Sequence, residues 1–289
     1  MSAELRWGLM VRVHPDPLVA TEVFSCIIHL VKVGILYKLG NQKAHKVAES
    51  AKGYLLKKEH EVFGEDKIKN CEIILTFGGD GTLMHKASQF AYLGVPFVGI
   101  NTGNLGFLTA ADAEDFDKAI ELAVGGKLYL SRRITLEVGV EGLKDKHIAV
   151  NDAVIKGQFR VVELNLETNG QDFLKISGDG VIIAAQTGST AYSLSSGGPI
   201  VDPNIDAILI TPVNPIGLPI PSFVLSPKDQ ISIKLVKGDD VWLVLDGQEH
   251  MKVSMGQSIK VSRGKHDVVF GYLHREHFLK SLNAKFGLS

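Results

Sequence analysis

The chain has 289 residues and 31.4 kDa, enough for two modest domains or one large one, and 45% hydrophobic against 22% charged residues excludes disorder as its main state. Thirty-one basic and 32 acidic side chains leave a formal charge of −1, which argues against a strongly basic nucleic-acid binder. Two cysteines, Cys26 and Cys71, supply neither a disulfide framework nor a four-cysteine zinc site, as expected in a reducing cytoplasm.

Residues 1–30 carry no signal-peptide layout, and Glu22, His29 and Lys32 make the apolar run 18–36 too polar for a bilayer crossing. No membrane association is expected. The run 18–30 reads either as an added docking helix or as an over-extended gene start. Missing capping and turn signals between Leu30 and Val31 favour the second reading, with the true start at Val31.

From Val31 the pattern alternates. Residues 31–39 predict a buried strand, and 42–58 a helix with Ala44, Val47, Ala48, Ala51 and Leu55 on one face. A short strand follows at 61–63, then the apolar run CEIILTF at 71–77, as for a parallel strand covered on both faces. A helix is predicted from Leu83 to Tyr92, a strand at 95–100 and a helix over 112–124. This alternation predicts a doubly wound parallel sheet.

After Gly125-Gly126 the chain becomes β-rich, with short strands predicted at 128–130, 134–140, 147–150, 161–168, 173–176, 181–185, 230–236, 241–245 and 258–261. Seven of ten prolines fall between Pro199 and Pro227, which excludes a long helix there. Helical character returns from Tyr272 to Phe286. The expected division is an extension at 1–30, an α/β domain at 31–125, a β-rich domain at 126–265, and a helical tail at 266–289 that packs back on the first domain.

Gly78, Gly79, Asp80, Gly81 and Thr82 join a buried strand to a helix. Such a loop lets backbone approach a phosphate and offers free N–H groups, or else it is a tight turn whose Asp caps the helix. No Walker loop occurs, and Met84 stands where a dinucleotide fingerprint needs its third glycine. The polar, glycine-spaced segment opening at Asn101 also follows a strand. Asn151-Asp152, Asp179-Gly180, the Ser/Thr run at 187–193 and Asp246-Gly247-Gln248 each read either as ribose and base contacts or as turns. His274 and His277 lack a third ligand, so a zinc site there is weak.

In this order the five blocks resemble the NAD kinase family from Val31 to the C-terminus: GGDGT at 78–82, NTGNLGFLT at 101–109, Asn151-Asp152, Asp179-Gly180 with TGSTAYS at 187–193, and Asp246-Gly247-Gln248. The resemblance implies an α/β Rossmann-like N-terminal domain of the GGDGT kinase type and a C-terminal β-sandwich-like domain. It also implies a cytoplasmic homodimer or homotetramer and transfer of the terminal phosphoryl group of ATP or polyphosphate, with Mg²⁺, to the 2′-hydroxyl of NAD. Asp80 is then the proton acceptor, with Gly78, Gly79, Gly81, Thr82 and His85 at the donor. Asn101, Asn151, Asp152, Asp179, Thr190, Ala191, Tyr192, Ser193, Leu194, Ser195, Asn214 and Gln248 would bind the nucleotide.

His85 stands where the family often has arginine, with Lys86 as a substitute charge. Ser177 replaces a frequent basic residue, and Pro215-Ile216 replaces Pro-His. A lipid kinase sharing GGDGT and a non-catalytic NAD(P) sensor are the alternatives. Asp80→Asn is expected to cost turnover while NAD binding stays near normal and the fold survives.

Overall fold

The computed structural model describes residues 30–103, 106–217 and 219–287, so the readings of the N-terminal extension fall outside it apart from Leu30. The first sheet opens with β1 (Lys32–Tyr37), β2 (Glu61–Phe63), β3 (Ile73–Gly78), β4 (Pro96–Asn101) and the two-residue β5 (Ala111–Asp112), all parallel, in the order β2-β1-β3-β4 with β5 beside β4. β6 (Tyr129–Arg133) joins it antiparallel at the far edge.

Helices cover both faces. α1 (Gln42–Lys57) starts where the Asn41 side chain accepts from the Ala44 N–H at 3.0 Å, and it buries Ala44, Ala48, Ala51 and Leu55 on the sheet. α3 (Phe116–Val124) buries Ala119, Ile120 and Ala123 in the same layer. On the opposite face α2 (Asp80–Phe90) buries Leu83, Ala87 and Phe90 against Ile74, Phe97 and Phe270. Both faces of β3 and β4 are thus covered, which is why each is buried along its whole length and reads as a mainly apolar run.

The chain then builds a sandwich. One sheet orders β11 (Gln171–Gly178), β10 (Val162–Thr168), β15 (Ile231–Lys237), β18 (Ser258–Arg263), β7 (Leu136–Val140) and β8 (Lys146–Ala149). The other orders β14 (Phe223–Leu225), β13 (Ile208–Val213), β12 (Gly180–Ala185), β9 (Asp152–Gly157), β16 (Val241–Leu245) and β17 (Glu249–Val253). Alternate residues of both, such as Leu164, Ile183, Ile233, Leu243 and Val261, form one core between them. The segment carrying α4 (Tyr192–Ser195) covers the outer face of β12 and β13, burying Val201 and Ala207 against Ile182 and Leu209.

β19 (Val268–Tyr272) returns to the first sheet between β4 and β6, and α5 (His277–Phe286) follows it onto the α2 face, where Leu282 packs. The fold is therefore an N-terminal α/β domain with a mixed sheet and a C-terminal domain of antiparallel sheets. Strands β9, β13, β14, β17 and β19 lie where none was expected, and the tail begins as a strand. β9 hides behind the Asn151-Asp152 motif. β13 contains Pro212, tolerated because β14 pairs only with 208–210 and leaves β13 an edge beyond them. Residues 128–130, expected in the β-rich half, belong at 129–133 to the first sheet. No helix among the described residues is long and apolar enough to cross a membrane.

Candidate active site

Gly78 ends β3, and a Cβ there would overlap the Thr82 side chain. Gly79 caps α2 without a side chain, so Asp80 enters the first turn, where the helix dipole favours its charge. Helix α2 therefore starts three residues earlier than the expected Leu83. Asp80 does not cap its own helix. Its carboxylate accepts the backbone N–H groups of Phe107 (2.7 Å), Leu108 (3.0 Å) and Thr109 (3.2 Å), the strap after β4. Gly106 allows the approach, because any Cβ there would overlap Asp80 Oδ1.

Neighbouring candidates divide. Asn101 is buried, and its side chain bonds the Gly103 backbone and Asp112 at 3.1 Å. His85 is exposed on α2, and the Lys86 ammonium is paired to Glu65 at 2.7 Å. Lys86 is thus already engaged where a substitute charge was expected.

The second group centres on Asp246. This residue holds a positive φ of 49° in the turn between β16 and β17, a strained conformation for a residue with a Cβ. Its carboxylate accepts the N–H groups of Val150 (2.8 Å), Asn151 (2.7 Å) and Asp152 (3.1 Å), which binds the turn to the start of β9. The arrangement aims Asn151 and Asp152 into a cleft of about 350 Å³, lined also by Val154, Lys156, Ala191, Tyr192, Val244 and Gly247. Asn151 Oδ1 is buried with no protein donor, which fits an acceptor waiting for a ligand. Gly188 lies against the Asn151 carbonyl so closely that a Cβ would overlap it.

Burial, and secondarily the Asp246 charge, push the Asp152 carboxyl up to about 7. Burial also raises Asp246, against the lowering effect of its three N–H donors. The native state therefore holds the Asp152 proton more tightly than the unfolded chain. This stabilisation is complete below the ordinary carboxyl pKa and is lost as pH rises through about 7. Asp152→Asn removes the titration, so its melting temperature relative to wild type is expected to be higher at pH 8 than at pH 5. Thermal melts at the two pH values test this, and an equal difference at both overturns it.

In the Ser/Thr segment, Ala191 and Tyr192 line the cleft, while Ser193 is fully buried and bonded to Thr211 at 2.8 Å. Thr190 bonds the Thr187 carbonyl, Leu194 is half-buried and Ser195 is exposed. Gln248 bridges the domains, its Nε2 donating to the Gly81 carbonyl at 2.8 Å. Asp179 and Asn214 bond each other at 2.7 Å, but not beside Asp152. Gly180 pairs with Lys156 and Ala184 with Asp152, so the two ends are separated by about four residues of strand, roughly 13 Å. In the sequence Asp246 reads as an ambiguous turn, Lys156 and Val244 carry no signal, and the strap donors fall inside the 101–109 motif, which does not reveal their bonds to Asp80.

The model of the ATP-NAD kinase N-terminal domain matches residues 26–128, and that of the ATP-NAD kinase C-terminal domain matches 151–271. The chain is 38% identical over 221 residues to an NAD kinase of Desulforamulus reducens, covering 74% of this chain and 77% of that one. It is 36% identical over 232 residues to an NAD kinase of Aquifex aeolicus, covering 78% and 84%. Among solved structures, yeast NADH kinase complexed with NADH superposes with a TM-score of 0.81 at 22% identity, covering 90% of this chain and 88% of that one, a likeness of fold. An Archaeoglobus fulgidus NAD kinase in complex with ATP gives 0.71 at 25% identity, covering 86% and 96%. The lipid-kinase and sensor readings gain nothing from these likenesses.

Proposed function

The chain belongs to the NAD kinase family, and we propose that it transfers the terminal phosphoryl group of ATP or polyphosphate to the 2′-hydroxyl of the adenosine ribose of NAD, giving NADP. The observation that carries this reading is the Gln248–Gly81 bridge. It ties a glycine loop suited to phosphate to a cleft whose unpartnered Asn151 and ionisable Asp152 suit a dinucleotide.

In the reaction the ribose oxygen forms a bond to the terminal phosphorus as the bridging P–O bond of the donor breaks. Three N–H bonds orient the Asp80 carboxylate, and two of them fall on Oδ1. One lone pair of Oδ2 therefore stays open to take the 2′-hydroxyl proton. Phosphoryl transfer asks mainly for positioning and charge neutralisation. Gly79 and Gly81 offer open backbone at the α2 N-terminus for the donor, with Thr82 behind them. Asn151, Asp152, Ala191 and Tyr192 hold the dinucleotide.

Among the described residues no three His, Cys, Asp or Glu side chains gather into a metal cage. Mg²⁺ would enter on the phosphates of the donor, because this ion keeps its waters and needs only one or two carboxylates. When bound, the ion neutralises phosphate charge. We also place the protein in the cytoplasm. The exposed Phe159, Ile216 and Val224 on the sandwich support a homodimer or homotetramer.

Incubation with NAD, MgCl₂ and either ATP or polyphosphate, followed by a dehydrogenase-coupled assay for NADP, tests the reading. NADP formation with one donor is the expected result. No NADP with either donor overturns it.

A further inference from the structure

His277 opens α5, 170 residues beyond Phe107, yet its Nε2 lies 3.1 Å from the Phe107 carbonyl oxygen. A carbonyl only accepts, so Nε2 carries the proton and donates. The imidazole stacks on the buried Tyr272 ring at 4.2 Å between centroids and 15° between planes. Lys285, two turns further along α5, places its ammonium 4.3 Å from the Phe107 ring centroid. The C-terminal helix therefore grips the residue whose own N–H reaches Asp80 Oδ2 at 2.7 Å.

We propose that His277 is a positioning residue for phosphoryl transfer: by holding the Phe107 carbonyl it keeps the strap at 106–109 closed on Asp80 and so orients the proton-accepting carboxylate. The proposal rests on the kinase reading above. The strap has no other described side-chain hydrogen bond to α5, so the imidazole is the hydrogen-bonded link between that helix and the strap. Burial holds the imidazole pKa below its usual value, against the raising effect of the Phe107 carbonyl. Sequence reading weighed His277 only as half of an incomplete zinc pair.

Three variants separate positioning from bulk structure. His277→Phe keeps the stack and removes the donor, His277→Asn is too short to reach Phe107, and His277→Gln places an amide N–H near Nε2. In the full chain, His277→Phe and His277→Asn are expected to lower kcat by about 10–100-fold, with KM for NAD within about twofold of wild type, whereas His277→Gln restores most of the rate. Amide hydrogen exchange at 107–109, measured without substrate, is expected to speed up by about tenfold in the first two variants and not in the third.

Unchanged exchange in His277→Phe and His277→Asn overturns the clamp whatever the activity. A wild-type kcat with faster exchange overturns its role in transfer. Loss of kcat and melting temperature together, without rescue by Gln, assigns a structural role and also overturns it. An inactive wild-type protein with a slow-exchanging strap instead counts against the kinase reading.

Discussion

Asp80→Asn is expected to lower kcat by about 10²–10⁴-fold, the usual contribution of a general base, with NAD affinity close to wild type. The structure adds a cost that the sequence did not show. The carboxylate accepts three strap N–H groups, and in the variant the amide nitrogen faces donors it cannot accept. Hydrogen bonds to a charged group are worth about 1.5–3 kcal/mol, so the variant is also expected to melt several degrees lower. Steady-state kinetics with thermal melts checks both parts. A wild-type kcat removes the base assignment, whatever happens to the melt.

Asp246→Ala is expected to have the largest effect on stability. It strands the N–H groups of Val150, Asn151 and Asp152 in a buried place, and each unsatisfied donor costs about 1–3 kcal/mol. Partial relaxation leaves a loss of about 3–6 kcal/mol, or a fall in melting temperature of about 10 °C for a chain of this size. Because these amides aim Asn151 and Asp152 into the cleft, NAD affinity should fall with stability. Asp246→Asn keeps an acceptor oxygen and is expected to lie between the two. Denaturant unfolding and NAD titration measure these effects. An Asp246→Ala variant as stable as wild type would falsify the anchoring role.

Helices α1 and α3, strands β1 to β4 and the glycine loop were legible because their determinants are local. Ala44, Ala48, Ala51 and Leu55 recur at helical spacing, and 71–77 is apolar on both faces. Sequence order also assembled the five motifs from which the family resemblance was drawn. Strands β9, β13, β17 and β19 were not legible. β9, β13 and β19 pair with strands far along the chain, whereas β17 pairs with the adjacent β16 and its charged, histidine-containing sequence hides the alternation.

The sequence by itself thus determined the order of α/β and β-rich halves and the family. Periodicity, turn chemistry and motif spacing are properties of neighbouring residues, and they survive without a partner. Tertiary structure alone decided that Asp80 binds the 107–109 strap, that Asp246 anchors 150–152, that Gln248 reaches Gly81, and that Asp179 and Asn214 sit at the far strand end. It also decided that His277 meets Phe107. A buried carboxylate or imidazole takes its role from whichever donors and acceptors the fold delivers to it, and those come from segments separated by 27 to 170 residues.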